Sequence, residues 1–469
     1  MIIKFSSIYK IVCAVSLFSM TFVAASCKKF VEIDPAPGII QTSSIFESDK
    51  TAASAVSGLY TQLRSSSSTF TNGGLSLYCG LASDEIYATS PTSTTDPFFL
   101  NQLVPSNAQV SSVFYTPSYK IIYQVNAILE GLENSNLLTD SVKKQLTGEA
   151  KIVRALAYFY LVNLFGDVPL IITTDYLKNA TLPRTATNRV YEQIITDLTD
   201  AQNLLKLTYP SAGKVRPNKL TATALLARVY LNKKDWQNAE IQASLVISSG
   251  QYALTPILNN VFLKNSNETI WEIASPNEGT SPGEAQLFIP SSTTVKPTYA
   301  ITTYLLNTFE SGDQRKTSSN WLGKNTVSAQ DYYFPNKYKQ RSISTGGTPN
   351  EYEVVFRLAE QYLIRAEALA QQNNISGSQN DLNKIRNRAS LPNTSANTQS
   401  SLITAIEKEK RIEFFAEWGH RWLDLKRTDR SNSVLQPIKG ANWAETDTFW
   451  PIPETELLYN VSLIQNPGY

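Results

Sequence analysis

The sequence predicts a mainly α-helical fold, an all-α scaffold of helical hairpins interrupted by long irregular segments. Apolar residues recur at helical spacing in successive stretches of the 469-residue chain. Two of these stretches carry the packing residues of a helical hairpin, and a long segment rich in Gly, Pro, Asn and Ser separates them. A hydrophobic content of 42% is enough for a sizeable core.

The N-terminus is expected to be a lipoprotein signal peptide over residues 1–26, with Cys27 as the acylated residue. Lys4 and Lys10 precede an apolar run over residues 11–20, and small residues lead up to Cys27. A signal peptidase needs small side chains before the cut, and the cysteine thiol then takes the lipid. The alternatives are an ordinary secretory signal with a chance cysteine, or a membrane-spanning helix, which needs about 20 apolar residues.

Charge and cysteine content exclude several classes of partner and site. The formal net charge of +2 falls to zero when residues 1–26 are removed with Lys4 and Lys10. A neutral chain lacks the basic stripe that nucleic acid requires, so we expect no nucleic-acid partner, and the N-terminal lipid would provide the membrane contact. Only Cys79 would stay free in the mature protein, which excludes an intramolecular disulfide.

The helical elements follow in order along the chain after a tether over residues 27–48. Gly166, with Pro169 just beyond it, is a typical stop for the longest of them. The next element begins near Pro217 and is joined to its partner helix by a short polar turn. The predicted helices cover residues 49–63, 118–132, 141–165, 189–207, 217–232, the partner helix to 248, a hairpin over 356–388, and a last long helix over 401–418.

A hairpin over residues 217–248 carries the code of a tetratricopeptide repeat. Its packing leucine, small residue, tyrosine and second-helix alanine are Leu226, Ala227, Tyr230 and Ala239. The hairpin over 356–388 has Ala366, Leu369 and Leu382 at comparable offsets. The distance between the two exceeds the repeat period of about 34 residues, which predicts an interrupted repeat array rather than a continuous solenoid.

The chain is therefore predicted to be one domain over residues 27–469. Long irregular excursions are expected at 65–112 and 251–355, and the aromatic residues of the second argue against disorder. The apolar, proline-rich end of the chain is expected to pack back over the helices. The predicted parts are the tether (27–48), the repeat scaffold (49–250 and 356–430), the two excursions and a C-terminal packing segment (431–469).

Several motifs, in order along the chain, resemble one family, the SusD/RagB-type outer-membrane nutrient-binding lipoproteins of Bacteroidetes. The motifs are RALAYFYLVNLFGDVPL (154–170), ALLARVY (224–230), RLAE (357–360), YLIRAEA (362–368), LNKIRNRA (382–389), EKRIEF (409–414), GHRWLDLKR (419–427), PIP (451–453) and QNPGY (465–469). The resemblance covers the chain from Cys27 to Tyr469. One departure is Trp418, where the family often has a plain Glu-Gly pair.

The resemblance implies a right-handed scaffold of four tetratricopeptide-type hairpins, with the irregular segments forming the ligand site. It implies a lipid-anchored protein on the surface of the outer membrane that binds a glycan or, in some branches, a peptide. It also implies a partner, a SusC-type TonB-dependent transporter over which the protein acts as a lid. Members of the family are binding proteins and not enzymes.

The residues themselves argue against catalysis. His420, the only histidine, is expected to cap or pack at the end of a helix, so a Ser or Cys triad would lack its base. The count of His and Cys excludes a metal cluster of these residues, whereas a pair of glycosidase carboxylates is not excluded. The pair Asp84 and Glu85 is adjacent, and adjacent residues rarely converge. No cofactor is expected, although surface loops leave a calcium ion open. One further series of charged residues at i, i+4 spacing is interpreted as a solvated or salt-bridged helical face: Glu409, Glu413, Glu417 and Arg421.

A sugar-binding site requires flat aromatic faces beside amide and carboxylate groups, and the two excursions contain both kinds of side chain. The candidate ligand-binding residues are Asp84, Tyr87, Phe98, Trp321, Tyr332 and Tyr333. The alternative for each aromatic residue is that it anchors its loop to the core. The charged residues of the family-like motifs are expected to form scaffold ion pairs and caps, namely Arg154, Asp167, Arg365, Glu367, Arg421 and Asp424.

Two further functions stay open beside glycan or peptide binding. One is a repeat scaffold that only assembles other envelope proteins, and the other is a lipid-anchored hydrolase. A scaffold would keep its repeats contiguous and its concave face open, whereas this chain has long aromatic excursions between its repeats.

Overall fold

The structure, a computed structural model, describes residues 42–64, 69–274, 280–344 and 347–469. The predicted signal peptide and Cys27 lie outside these residues. A short helix, α1 (Thr42–Ile45), precedes a compact unit over Phe46–Tyr469. Within the described residues, no helix combines the length and the apolar character that a membrane span requires.

The compact unit is mainly helical. Its α-helices are α2 (Asp49–Leu63), α3 (Leu75–Ala82), α4 (Asp96–Phe99), α5 (Thr116–Asn134), α6 (Asp140–Phe165), α7 (Tyr176–Asn179), α8 (Thr187–Leu204), α9 (Lys219–Asn232), α10 (Trp236–Ser248), α11 (Gly283–Phe288), α12 (Thr303–Leu306), α13 (Leu358–Gln371), α14 (Ile375–Arg388), α15 (Gln399–Glu413), α16 (His420–Arg427), α17 (Ser431–Lys439) and α18 (Glu454–Tyr459). Its strands are β1 (Ile86–Ala88), β2 (Thr269–Ile273), β3 (Tyr299–Ile301), β4 (Leu322–Val327), β5 (Gln330–Pro335) and β6 (Glu353–Arg357).

The long helices stack side by side in a tetratricopeptide-like array. Helix α6 packs between α5 and α8, α9 packs against α8 and α10, and α13 packs against α10, α14 and α15. The two predicted hairpins therefore lie next to each other, although more than 100 residues separate them in the chain. The repeats are interrupted in sequence but contiguous in space, because the second excursion leaves the array after α10 and returns at α13.

Small side chains permit this close packing. Ala227 on α9 and Ala239 and Ala243 on α10 share a buried cluster with Ile364 and Ala368 on α13. An alanine brings the facing helix backbones closer than a larger side chain would, so apolar contacts form along the whole interface. The tetratricopeptide code in the sequence thus predicts real packing positions.

Local signals also set where the helices begin and end. The Asn218 side chain accepts a hydrogen bond from the Thr221 N–H, and the Thr221 hydroxyl accepts one from the Asn218 backbone N–H, a capping box at the start of α9. Helix α6 ends at Gly166, whose φ of 71° is accessible to glycine at little cost. These ends match the predicted boundaries within two residues.

The predicted helix over 401–418 is wrong in its second half. Helix α15 ends at Glu413, and the chain turns through left-handed φ values at Ala416 (50°), Trp418 (46°) and Gly419 (70°) before α16 begins. The Trp418 N–H donates to the Ser76 hydroxyl on α3 at 2.8 Å. Gly419 packs on Cys79, where a Cβ would lie 2.9 Å from the Sγ atom. Contacts with α3 therefore override the helical spacing.

The excursions are more ordered than the sequence suggests, and they are joined to each other. The first contains α3, β1 and α4, and β1 pairs antiparallel with β3 of the second, with Tyr87 opposite Ala300. Strands β2 and β6 form a second two-stranded sheet, and β4 and β5 form a hairpin. Strand β3 also lies beside β5, so β1 of the first excursion and the β4–β5 hairpin of the second flank the same strand.

The C-terminal segment packs back over the helices as predicted. Trp450 is buried among Phe98, Phe114 and Phe165, with ring centroids 4.9 to 6.4 Å away. The Trp450 N–H donates to the Leu164 carbonyl at 2.8 Å.

The charged residues of the family-like motifs form ion pairs and a cap, which confirms their predicted scaffold role. Asp167 accepts from the Thr187 N–H at the start of α8 at 2.8 Å. Glu409 and Glu413 on α15 and Glu417 beyond its end are salt-bridged but buried rather than solvated, which corrects that part of the prediction. The ion pairs are Arg154–Asp197, Arg365–Asp381, Glu367–Arg427, Arg421–Asp84 and Asp424–Lys410.

Candidate functional site

Phe98 and Trp321, two of the six predicted ligand contacts, lie in the core. Phe98 packs on Tyr78 and Trp450, with ring centroids 4.5 and 5.2 Å away. Trp321 is 0% exposed, and its Nε1–H donates to the Leu258 carbonyl at 3.0 Å. Both aromatic rings anchor their excursions to the core, so the prediction that they contact a ligand is wrong.

Cations surround the Trp321 ring. Lys337 Nζ lies 5.0 Å from the ring centroid, and the guanidinium carbons of Arg357 and Arg388 lie 5.6 and 5.5 Å from it. These distances are within the range of cation–π attraction, which is stronger where water is excluded. The tryptophan is therefore a structural partner of a buried charged cluster.

Asp84 is buried as well, and it holds two arginines. Its Oδ1 lies 2.8 Å from Arg421 Nε, and its Oδ2 lies 2.7 Å from Arg411 Nη2. Burial alone would raise the pKa of this carboxyl, but the hydrogen bond and the charges of the arginines lower it below its usual value. Burial and the Asp84 charge raise the pKa of the neighbouring Glu85 to about 7. Asp84 thus positions two arginines, and its predicted contact with a ligand stays a prediction.

Tyr87 on β1 and Tyr332 on β5 lie in neighbouring strands, because β3 pairs with β1 and also lies beside β5. Tyr332 lies near enough to Tyr87 to contribute, after burial, to raising the pKa of the Tyr87 hydroxyl. Lys296 Nζ lies 5.9 Å from the Tyr332 ring centroid and donates to the Thr89 carbonyl at 2.8 Å, so it joins this group to β1. Both tyrosines are half-buried and keep part of their rings accessible. We call Tyr87, Tyr332 and Lys296 the tyrosine surface.

Tyr333 lies on the other face of the β4–β5 hairpin. Tyr332 pairs with Asn325 and Tyr333 with Lys324, and successive side chains of a strand point to opposite faces. The Asn325 amide donates to the Ser292 and Val295 carbonyls at 2.9 and 2.7 Å, which ties the loop before β3 to the hairpin. The structure therefore places Tyr87 and Tyr332 on neighbouring strands and Tyr333 on the opposite face of the hairpin.

A cavity of about 320 Å³ lies at the end of β1 where Asp84 is placed. We call it the arginine cavity. Helices α12, α15, α16 and α17 provide its walls, and Asp84 contributes to its lining. Its lining residues are Asp84, Tyr304, Thr308, Thr404, Glu407, Lys408, Arg411, Arg421, Arg430, Val434 and Ile438.

The thiol and the imidazole do not form a catalytic pair. Burial raises the pKa of the Cys79 thiol, so it stays protonated, and burial lowers the pKa of His420, so its ring stays neutral. His420 stacks on Phe414 with centroids 4.6 Å apart, which confirms that it packs. In the part of the chain that the structure describes, no group of three or more His, Cys, Asp or Glu residues is placed to hold a metal ion.

Two family models match the chain. One, described as "Starch-binding associating with outer membrane", matches residues 82–231, and the other, described as "SusD family", matches residues 291–469. The chain belongs to the SusD/RagB family. This confirms the family resemblance, and the first model's description places the family at the outer membrane.

Known SusD-like proteins match over nearly their full length. SusD-like protein P2 of Formosa agariphila is 28% identical, over 92% of this chain and 95% of its own length. A solved SusD superfamily structure from Bacteroides vulgatus aligns with a TM-score of 0.80 at 20% identity, covering 90% of this chain and 99% of the other. A solved structure described as a "Laminarin binding SusD-like protein" aligns with a TM-score of 0.72 at 26% identity, covering 90% and 99%. These matches confirm the predicted mainly helical, tetratricopeptide-like fold.

Of the residues that line the arginine cavity in this SusD-family chain, the sequence pointed only to Asp84 as a candidate ligand contact. Tyr304 is 50% exposed and stands at the cavity, whereas the sequence favoured the buried Trp321. Arg411 was not singled out, and Arg421 was interpreted only as a scaffold residue. The sequence did contain a signal for these residues. Glu407 and Arg411 are four residues apart on α15, a spacing that places an acidic and a basic side chain on the same face of a helix.

Proposed function

We propose that this protein binds an oligosaccharide at the outer membrane through the tyrosine surface and delivers it to a TonB-dependent transporter of the SusC type. The observation that carries the proposal is the placement of Tyr87 and Tyr332, both half-buried, on neighbouring strands of the joined excursions. The C–H groups of a pyranose ring lie against aromatic faces, while hydroxyls hydrogen-bond to nearby polar groups such as Lys296. The family description names starch, and one structural neighbour binds laminarin.

Replacing either tyrosine should weaken glycan binding. We expect Tyr87→Ala and Tyr332→Ala each to lower affinity about tenfold, because each removes one aromatic face from the sugar. Isothermal titration calorimetry with maltooligosaccharides and laminarin oligosaccharides measures the change. Tyr333→Ala should lower affinity less, since Tyr333 lies on the other face of the hairpin.

Tyr123→Ala is the matched control, because Tyr123 is an exposed tyrosine of α5 outside the excursions. Unchanged affinity in both Tyr87→Ala and Tyr332→Ala would contradict the proposed site. Binding of peptides but not of oligosaccharides would instead favour a peptide-binding member of the family. The bound oligosaccharide should be recovered intact after incubation, because we propose a binding protein without catalytic activity, and newly formed reducing ends would contradict this.

The transporter is proposed to dock on an apolar patch near the C-terminus. Leu458, Tyr459, Val461 and Ile464 are each at least 74% exposed. Hydrogen bonds hold this segment in place, from Arg184 Nη1 to the Ile464 carbonyl at 2.9 Å and from Asn460 Nδ2 to the Leu182 carbonyl at 2.8 Å. An ordered apolar patch of this kind typically marks a protein-interaction surface. We call these four residues the tail patch.

Polar substitutions in the tail patch should reduce transporter binding without affecting glycan affinity. We expect the double variant Tyr459→Ser/Val461→Ser to lose co-purification with the transporter from solubilised outer membranes, because it removes two apolar contacts. Leu245→Ser is the control, because it places a serine at an exposed leucine of α10 outside the tail patch. Cys27→Ala distinguishes attachment to the membrane from binding to the transporter, since this variant should lose the lipid and leave the membrane fraction. Full co-purification of the double variant would contradict the docking surface.

A further inference from the structure

We propose that the arginine cavity binds the anionic group of a glycan, either the carboxylate of a uronic acid or a sulfate ester. This inference rests on the proposed glycan-binding function and names the class of sugar. Asp84 lines the cavity just before β1, and Tyr87 of the tyrosine surface lies within β1, so we expect one oligosaccharide to extend from the cavity to the tyrosine surface.

The charges of the cavity do not balance. Asp84 is shared by Arg411 and Arg421, and Glu407 is shared by Arg421 and Arg430. Three guanidinium groups therefore face two carboxylates. Lys408 also lines the cavity, but its Nζ lies 3.0 Å from Glu310 Oε1, outside the cavity lining. Glu85, buried beside Asp84, also acts on Arg411, but its pKa is raised to about 7, so it offsets the third guanidinium only in part. Positive charge is therefore left for an anion supplied from solution.

Arg411 is the group with the least complete set of partners. It is mostly buried, and among the described residues nothing accepts a well-aligned hydrogen bond from its Nε or Nη2, although Nη2 touches Asp84 Oδ2. Burial lowers the pKa of this guanidinium, in keeping with an incompletely compensated cation. A guanidinium matches a carboxylate or a sulfate with two parallel N–H donors.

The remaining walls suit a sugar ring. Tyr304 offers an exposed aromatic face, Val434 and Ile438 form an apolar wall, and Thr308 supplies a hydroxyl group. The volume of about 320 Å³ lies at the lower end of the range for small-ligand sites, roughly 300–1,000 Å³. The cavity thus combines an aromatic platform with an excess positive charge, and a neutral sugar would leave that charge unmatched.

The test compares charged and neutral forms of the same oligosaccharide. Calorimetry would use oligogalacturonate, its carboxyl-reduced neutral counterpart, and a sulfated galactan oligosaccharide with its desulfated form. We expect the wild type to bind at least one charged form about tenfold more tightly than its neutral counterpart. This preference should fall as sodium chloride is raised, since salt screens exposed charges. The arm that shows the preference identifies the group as carboxylate or sulfate.

Variants then assign the preference to the cavity. Arg430→Gln, at a side chain that is 45% exposed, should reduce the preference without unfolding the protein, and Arg411→Gln should abolish it. Arg411→Lys keeps the charge and should retain part of the preference. Arg189→Gln, at an exposed arginine of α8, is the matched control. Circular dichroism confirms that each variant is folded.

Equal affinity for the charged and neutral forms would overturn the inference while leaving the proposed function intact. A full anion preference in folded Arg430→Gln and Arg411→Gln would also overturn it, because the anion would then bind elsewhere. Absence of binding to every oligosaccharide, neutral or charged, would overturn the proposed function and this inference together.

Discussion

Replacing Trp321 with alanine is expected to lower the free energy of unfolding by about 3–5 kcal/mol. The indole is fully buried, packs on Phe262 with ring centroids 5.7 Å apart, and is surrounded by Lys337, Arg357 and Arg388. The substitution leaves a cavity, removes the cation–π contacts and leaves the Leu258 carbonyl without its indole donor. Urea denaturation followed by circular dichroism measures the change.

The location of Trp321 distinguishes this result from an effect on ligand binding. Glycan affinity of the folded fraction of Trp321→Ala should stay within about twofold of the wild type, because the side chain does not reach the surface. Tyr123→Ala should change stability by less than about 0.5 kcal/mol, since Tyr123 is exposed. A stable Trp321→Ala protein with abolished glycan affinity would contradict the structure and restore Trp321 as a ligand contact.

Replacing Arg357 with methionine is expected to cost about 3–5 kcal/mol as well. Arg357 lies 3.0 Å from Glu268, 2.5 Å from Glu413 and 2.9 Å from Glu417, and its own side chain is only 3% exposed. Its removal leaves carboxylates in the interior without one of their cations, and an uncompensated buried charge is costly. Thermal and urea unfolding measure the loss.

A second substitution tests the cause. The double variant Arg357→Met/Glu417→Gln should be less destabilised than the sum of the two single variants, because it also removes a buried negative charge. Arg189→Gln, an exposed arginine paired only with Glu192 among the residues described, should change stability by less than about 0.5 kcal/mol. A loss below about 1 kcal/mol in Arg357→Met would show that the cluster contributes little to stability.

The helical scaffold could be predicted because its signals are local. Helix α2 has the predicted bounds, and the small residues Ala227 and Ala239 pack where the tetratricopeptide code places them. The helix over 401–418 could not be predicted, since its apolar spacing continues past Glu413. Contacts from Trp418 and Gly419 to α3, which is more than 300 residues earlier in the chain, end the helix instead.

The residues of the candidate site, too, could be predicted from the sequence only in part. Residue type alone selects aromatic residues in the excursions, and Tyr87 and Tyr332 do lie on neighbouring strands. Residue type does not distinguish Tyr304, which is exposed, from Trp321, which is buried. Exposure depends on which distant segments pack on a side chain, and for Trp321 these segments begin some 60 residues away at Leu258 and Phe262.

The sequence by itself determined the family, the helical class and the hairpin packing, because motifs and periodicity are properties of short stretches of chain. Only the tertiary structure decided that the two excursions join through β1 and β3, that the separated repeats are neighbours, and that Asp84 meets arginines over 300 residues away. These contacts come from the packing of the whole chain. The charge imbalance of the arginine cavity is therefore visible only in the fold.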